Sequence, residues 1–224
     1  MGMRKLLICF DVDGTLIDDT TFIWQTLHDR IQTDPEEREY WSSEYWAGRI
    51  SYAEWASKDV EMWIKKGVTR DELKRYLDEL NPMPGAFDIL KELNARGHLL
   101  GVISGSLDIA IEQAFPDHIH LFQAIYLNKL CFDADGRLTG VTPTPFDIEH
   151  KATGLREMAY ATGHDMADTV FIGDNFNDIE VARIAGCSIA FNCKSEELAR
   201  ISTHRVFEKD LRAALPLIDK FACG

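Results

Sequence analysis

The sequence predicts an α/β fold: a mostly parallel sheet covered on both faces, with an all-helical insert. Three observations predict it. The short apolar run Leu6–Phe10 ends abruptly in Asp11-Val12-Asp13-Gly14-Thr15, as a buried strand does on leaving a sheet. Residues 18–82 carry a series of helix starts and stops with no strand among them. From Gly85 onward, short apolar runs alternate with helix-length amphipathic segments, the pattern of strands joined by crossover helices.

The elements follow in order. After the first strand, Asp34-Pro35-Glu36-Glu37 supplies a helix cap, a proline at the first helical position and acids in the first turn. Ser51-Tyr52-Ala53-Glu54 and Thr69-Arg70-Asp71-Glu72 are capping boxes, each cap contributing about 1 kcal/mol. Gly67 closes the third helix, and Asn81-Pro82-Met83-Pro84-Gly85 breaks the run. Ala86–Arg96 is an amphipathic helix, and His98–Ile103 is a buried strand leading into Ser104-Gly105-Ser106. Leu107–Phe115 is helical, and residues 124–141 form a strand and a hairpin around Asp133-Ala134-Asp135-Gly136. Glu149–Thr162 is a helix, Thr169–Ile172 a strand ending at Gly173-Asp174-Asn175, Ile179–Ala185 a helix and Ser188–Phe191 a strand. The division expected is a Rossmann-like core over residues 1–17 and 83–224, with a helical cap over 18–82.

At 224 residues and 46% apolar content, the chain is long enough for a core plus a smaller insert. Its formal charge of −13 speaks against nucleic-acid and anionic-membrane partners, which need basic surfaces. The first apolar run is far shorter than the ~20 residues that span a bilayer. Five cysteines without a C-x-x-C pair suggest reduced thiols in a cytoplasm. His118-Ile119-His120 has no metal-ligand companions nearby. Oligomeric state is not legible.

Asp11 and Asp13 lie two positions apart in an extended segment, so they lean to one side. A like-charged pair on a rigid edge calls for a cation between them, a retained proton, or both; a polar turn capping the strand is the plainer alternative. Ligands of open parallel sheets bind beyond the carboxyl ends of the strands. Asp11/Asp13, Ser104/Gly105, Lys151 and Asp174-Asn175-Phe176-Asn177-Asp178 all fall at or near such ends. That set suits Mg²⁺-assisted phosphoryl transfer: oxygen ligands for a hard cation, donors for phosphate oxygens and a carboxylate nucleophile.

D-V-D-G-T, the serine after the second core strand, the helix-borne lysine and G-D-N-F-N-D together resemble the four motifs of the haloacid dehalogenase superfamily, in the same order. S-G-S-L-D-I-A and the D-G-R-L-T-G hairpin resemble its phosphoserine phosphatase-like branch. The resemblance implies the haloacid dehalogenase fold and a Mg²⁺-dependent phosphomonoesterase acting on a small phosphorylated metabolite. Carried over by residue, Asp11 would be the nucleophile that forms an aspartyl phosphate, and Asp13 the acid and then the base. The resemblance places Mg²⁺ on Asp11, the Asp13 main-chain carbonyl and Asp174, with Asp178 supporting from behind. Ser104, Lys151 and the amides of Val12 and Gly105 would bind phosphoryl oxygens, and Asn177 would steady the fourth loop. Two alternatives remain: transfer of the phosphoryl group to an alcohol acceptor through the same intermediate, and a non-enzymatic phospho-receiver or regulatory domain.

The insert departs from the branch. Thr20 stands where the resembled enzymes carry a glutamate, and Asp59 where they carry an arginine, which makes phosphoserine a doubtful substrate. On the helix from Ser51, Asp59 shares a face with Trp55 and Trp63. One reading is the core of a small cap, with Asp59 bonded to a lysine or arginine at its edge. The other is an acidic, aromatic-lined pocket for an amine-bearing leaving group, with Thr20, Trp55, Asp59 and Trp63 setting specificity.

Overall fold

In a computed structural model that describes residues 4–224, seven strands form one sheet in the order β4-β3-β2-β1-β5-β6-β7. The strands are β1 (Leu7–Phe10), β2 (Leu99–Leu107), β3 (Phe122–Phe132), β4 (Leu138–Thr142), β5 (Thr169–Gly173), β6 (Cys187–Phe191) and β7 (His204–Val206). All neighbouring pairs are parallel except β3 and β4, which form the hairpin read from Asp133–Gly136. β1 lies at the centre, where the chain order reverses direction across the sheet.

Alternation along β1 shows why both faces are covered. Leu6, Ile8 and Phe10 join the core formed with helices α5 (Ala86–Ala95) and α10 (Leu215–Cys223). Leu7 and Cys9 point the other way, to Leu155 and Met158 of α7 (Lys151–Thr162) and Val181 of α8 (Ile179–Ile184). A strand buried on both faces reads as a continuous apolar run, which is how this one reads.

Four helices fill the insert: α1 (Ile23–Ile31), α2 (Pro35–Trp46), α3 (Tyr52–Lys65) and α4 (Arg70–Leu77). Asp34 caps α2 through the amides of Glu36 and Glu37, and both capping boxes form at Ser51/Glu54 and Thr69/Glu72. Two linkers carry the insert and pair with each other, Asp18 N to Asn81 O at 2.8 Å and Met83 N to Leu16 O at 2.8 Å. A second attachment comes from the β3–β4 hairpin. Arg70 N donates to Gly136 O (2.8 Å) and Leu138 N to Val68 O (3.0 Å), so the hairpin is stitched to the turn before α4.

Two readings shift. β2 does not end at Ile103 but resumes pairing at Leu107, with Ser104-Gly105-Ser106 skipped in the register against β3. Such a bulge is invisible to apolar periodicity. The helix expected from Glu149 starts at Lys151. Beyond Phe191, α9 (Glu196–Ile201), β7 and α10 are additions that the sequence reading left unassigned, and α6 (Asp108–Ala114) completes the set. Among the described residues no helix is long and apolar enough to cross a membrane.

Candidate active site

Strand register brings the polar clusters together. Phe10 pairs with Val102 on one side and Ile172 on the other, so Asp11, the Ser104 bulge and the Gly173-Asp174 turn all leave the sheet at one level. Gly14 turns the chain back at φ 78°, and a Cβ there would run into the Asp174 carboxyl and Lys194. The left-handed backbone and the lack of space both require glycine.

Lys151 Nζ lies between two carboxylates, 2.6 Å from Asp11 Oδ1 and 2.7 Å from Asp178 Oδ1, and is 1% exposed. Burial would discharge it, but Asp11, Asp178 and Asp147 outweigh burial and hold it protonated. Asp178 turns its other oxygen to the amides of Asp174 (2.9 Å) and Asn175 (3.2 Å) and so shapes the fourth loop. Asp13 accepts from Ser106 Oγ (2.7 Å) and from Ile23 N (2.7 Å), the first residue of α1. Burial, reinforced by the charge of Asp11, pushes its pKa up to about 7 against those two bonds and Lys151.

Asp11, Asp174 and Asp178 place carboxylate oxygens within 4.8 Å of one another, all buried. Burial, with the charges of Asp11 and Asp178, raises the Asp174 pKa. Lys194 Nζ pairs with Asp174 Oδ2 at 2.9 Å, while Asp174 Oδ1 has no hydrogen-bond partner. A buried, unpartnered carboxylate oxygen in an all-oxygen cluster fits a hard divalent cation such as Mg²⁺.

A cavity of about 310 Å³ separates this floor from the insert. Asp11, Asp13, Ser104, Gly105, Asp174 and Asn177 line its base. Gly105 is a junction: its carbonyl accepts from Trp24 Nε1 of α1 (2.8 Å) and Asn128 Nδ2 of β3 (2.7 Å). Asn128 Nδ2 also donates to Tyr52 of α3 (2.7 Å). The Asp147 carboxyl packs where a Gly105 side chain would go, its pKa raised by burial and drawn back down by Lys151, Tyr52 and Asn177. Ser106, Asn128, Asp147 and Lys194 were missed from the sequence; only Ser106, two residues past Ser104, carried a signal.

The specificity residues separate. Trp55 and Asp59 line the cavity. Thr20 is buried away from it, its hydroxyl bonded to Thr26 (3.1 Å). Trp63 is also away from the cavity: it is fully buried, packs on Trp24 and His28 and donates to His28 Nδ1 (3.3 Å). Asp59 has neither lysine nor arginine bonded to it; His28 Nε2 stands 3.4 Å from Oδ2. His28 Nδ1 lies 2.6 Å from Thr33 Oγ1 and 3.3 Å from Trp63 Nε1, which fixes the ring with Nε2 toward Asp59. Arg38 of α2 enters the same cavity, which helix periodicity did not reveal.

The profile of the haloacid dehalogenase-like hydrolases matches residues 8–183. A phosphoserine phosphatase of Methanocaldococcus jannaschii is 30% identical over 222 residues, spanning 97% of this chain and 100% of that protein. Phosphoserine phosphatase SerB2 of Mycobacterium tuberculosis is 32% identical over 191 residues, 85% of this chain and 45% of that protein. A solved substrate-bound phosphoserine phosphatase superposes with a TM-score of 0.75 at 27% identity, covering 97% of this chain and all of that one. A phospho-aspartyl intermediate analogue of phosphoserine phosphatase gives 0.73 at 29% identity, covering 96% and 99%. Register, the Lys151 bridge and the profile agree: the chain belongs to the haloacid dehalogenase-like hydrolase family, on its phosphoserine phosphatase-like branch.

Proposed function

We infer that the protein is a Mg²⁺-dependent phosphomonoesterase that hydrolyses a small phosphorylated metabolite through an aspartyl phosphate on Asp11. The observation that carries this is the cavity floored by Asp11 and Asp13, with Lys151 bonded to Asp11 behind it. Asp11 Oδ1 is tied to Lys151, which leaves the other carboxylate oxygen to attack phosphorus. As the Asp11–phosphorus bond forms and the ester bond breaks, Asp13 gives its proton to the departing alkoxide. Asp13 then takes a proton from the water that cleaves the acyl phosphate, releasing inorganic phosphate and restoring Asp11. Its burial keeps it within reach of both states near neutrality.

Ser104, Lys151 and the amides of Val12 and Gly105 would receive the phosphoryl oxygens. Asp11, the Asp13 carbonyl and Asp174 would hold Mg²⁺, with Asp178 and Asn177 fixing the loop, and the ion would neutralise charge on the phosphoryl group. The five cysteines are all free, in keeping with a cytoplasmic setting. Asp13 bonded to Ser106 and the helical insert over the cavity argue against a receiver domain. Transfer to an alcohol acceptor shares every residue and differs only in what enters the second step.

The test is turnover of p-nitrophenyl phosphate. The wild-type protein should release phosphate steadily with Mg²⁺, stop with a chelator, and lose activity in Asp11→Asn. Full activity in Asp11→Asn would remove the mechanism. Phosphorylated product appearing when acceptor alcohols are added would favour the transferase.

A further inference from the structure

We propose that the leaving group is a polyhydroxylated, sugar-like alcohol, recognised in the insert by Asp59, Trp55 and Arg38; this rests on the phosphatase reading above. Asp59 is 3% exposed, lines the cavity and has an Oδ1 without a hydrogen-bond partner. Trp55, one helical turn earlier on α3, lines the same cavity, and its Nε1 is likewise buried and unpartnered. Buried polar groups are nearly always satisfied, so an orphaned acceptor and an orphaned donor on one wall point to a ligand that supplies both partners.

Only some chemistries can do so. Trp55 Nε1 and the Arg38 guanidinium only donate, and an ionised Asp59 only accepts. An ammonium donates to Asp59 but offers Trp55 nothing. It would also sit beside Arg38, which shares the cavity and whose guanidinium donates to Gln25 Oε1 rather than to a carboxylate. A quaternary ammonium cannot donate at all. The amine-bearing leaving group suggested by Asp59 alone therefore loses to a hydroxyl, which donates and accepts at once.

The walls agree. Trp24, Trp46 and Trp55 line the cavity, Trp55 backed by Tyr45 and Trp24 by Trp63, and rigid indoles of this kind suit the C–H faces of a sugar ring. Ser42 supplies a further polar edge, whereas Gln25 is tied to Arg38 and Asp29. An α-amino acid also satisfies these polar groups, its ammonium on Asp59 and its carboxylate on Trp55 and Arg38. It lacks a ring to lie against the indoles, and phosphoserine in the panel below decides between the two.

The test uses the wild-type protein with Mg²⁺ and measures kcat/KM on two sets of esters. One set is glucose and ribose phosphorylated on the primary hydroxyl, and glycerol phosphate. The other is phosphoethanolamine, phosphocholine and phosphoserine, with p-nitrophenyl phosphate as a reference. The sugar esters should lead the amine and amino-acid esters by about 100-fold, since a site built to bond a hydroxyl rejects analogues that lack it. In Asp59→Asn and Trp55→Phe the sugar ester's advantage over p-nitrophenyl phosphate should shrink by about tenfold, through KM more than kcat. A flat panel, or a lead for phosphoserine or an amine ester, overturns the proposal while leaving hydrolysis of p-nitrophenyl phosphate intact. If hydrolysis itself fails, calorimetric binding of the same intact esters to Asp11→Asn decides: the sugar esters must bind tightest.

Discussion

Lys151 shows how closely function and stability are bound at a single residue. Its ammonium is shut away from water and held by Asp11 and Asp178. Replacing it with methionine leaves two buried carboxylates without their cation, a change that costs about 3–5 kcal/mol in comparable buried pairs. Urea unfolding of metal-free Lys151→Met should show that loss, and phosphatase turnover should vanish with it. Gly105→Ala should be comparably damaging to activity for a different reason, because its Cβ would displace the Asp147 carboxyl. The sequence displays Asp11, Ser104, Lys151 and Asp174 openly, since each sits where an apolar run stops or a helix begins. Asp147 and Lys194 sit in irregular loops with no periodic neighbour, so only the folded chain reveals them.

At the scale of elements, α2, α3 and α4 announce their starts in sequence, and Ser51→Ala or Thr69→Ala should each cost about 1 kcal/mol in thermal or chemical unfolding. α1 does not, because its preceding residue Phe22 makes no side-chain cap bond. Asp13 supplies that bond from the core, through Ile23 N. A cap contributed by a distant residue leaves no local signature. The same logic hides Asn128, a buried asparagine on β3 that joins Tyr52 of α3 to the Gly105 carbonyl. Asn128→Ala leaves the Tyr52 hydroxyl without this donor, and the expected stability loss is about 1–3 kcal/mol. Because the junction aligns the Ser104-Gly105 peptide with the helices above it, kcat should fall further than stability does.

Across the whole molecule, titration and metal binding oppose each other in a way that can be measured. Asp13, Asp147, Asp174 and Asp178 all have pKa values raised, by burial first of all. Between their ordinary values and neutrality the native state therefore holds more protons than the unfolded chain, and the metal-free protein loses stability as pH rises through that window. His28 and His98 act in the other direction. Burial lowers both, so the native state binds fewer protons than the unfolded chain below about pH 6.5, and acidification weakens it. Mg²⁺ competes with protons for the carboxylates, so its stabilisation should grow as pH rises. The gain should approach about 2.7 kcal/mol at a hundredfold excess over Kd, read as a Tm shift that is larger near pH 8 than near pH 5.5. The stitch between Gly136 of the β3–β4 hairpin and Arg70 of the insert has a consequence for engineering. Transplanting residues 18–82 alone into another scaffold would leave the Val68 carbonyl and Arg70 amide without their partners and bare one rim of the donor sheet. The unit that can be exchanged is the helices together with that hairpin, two stretches far apart in sequence that travel as one piece.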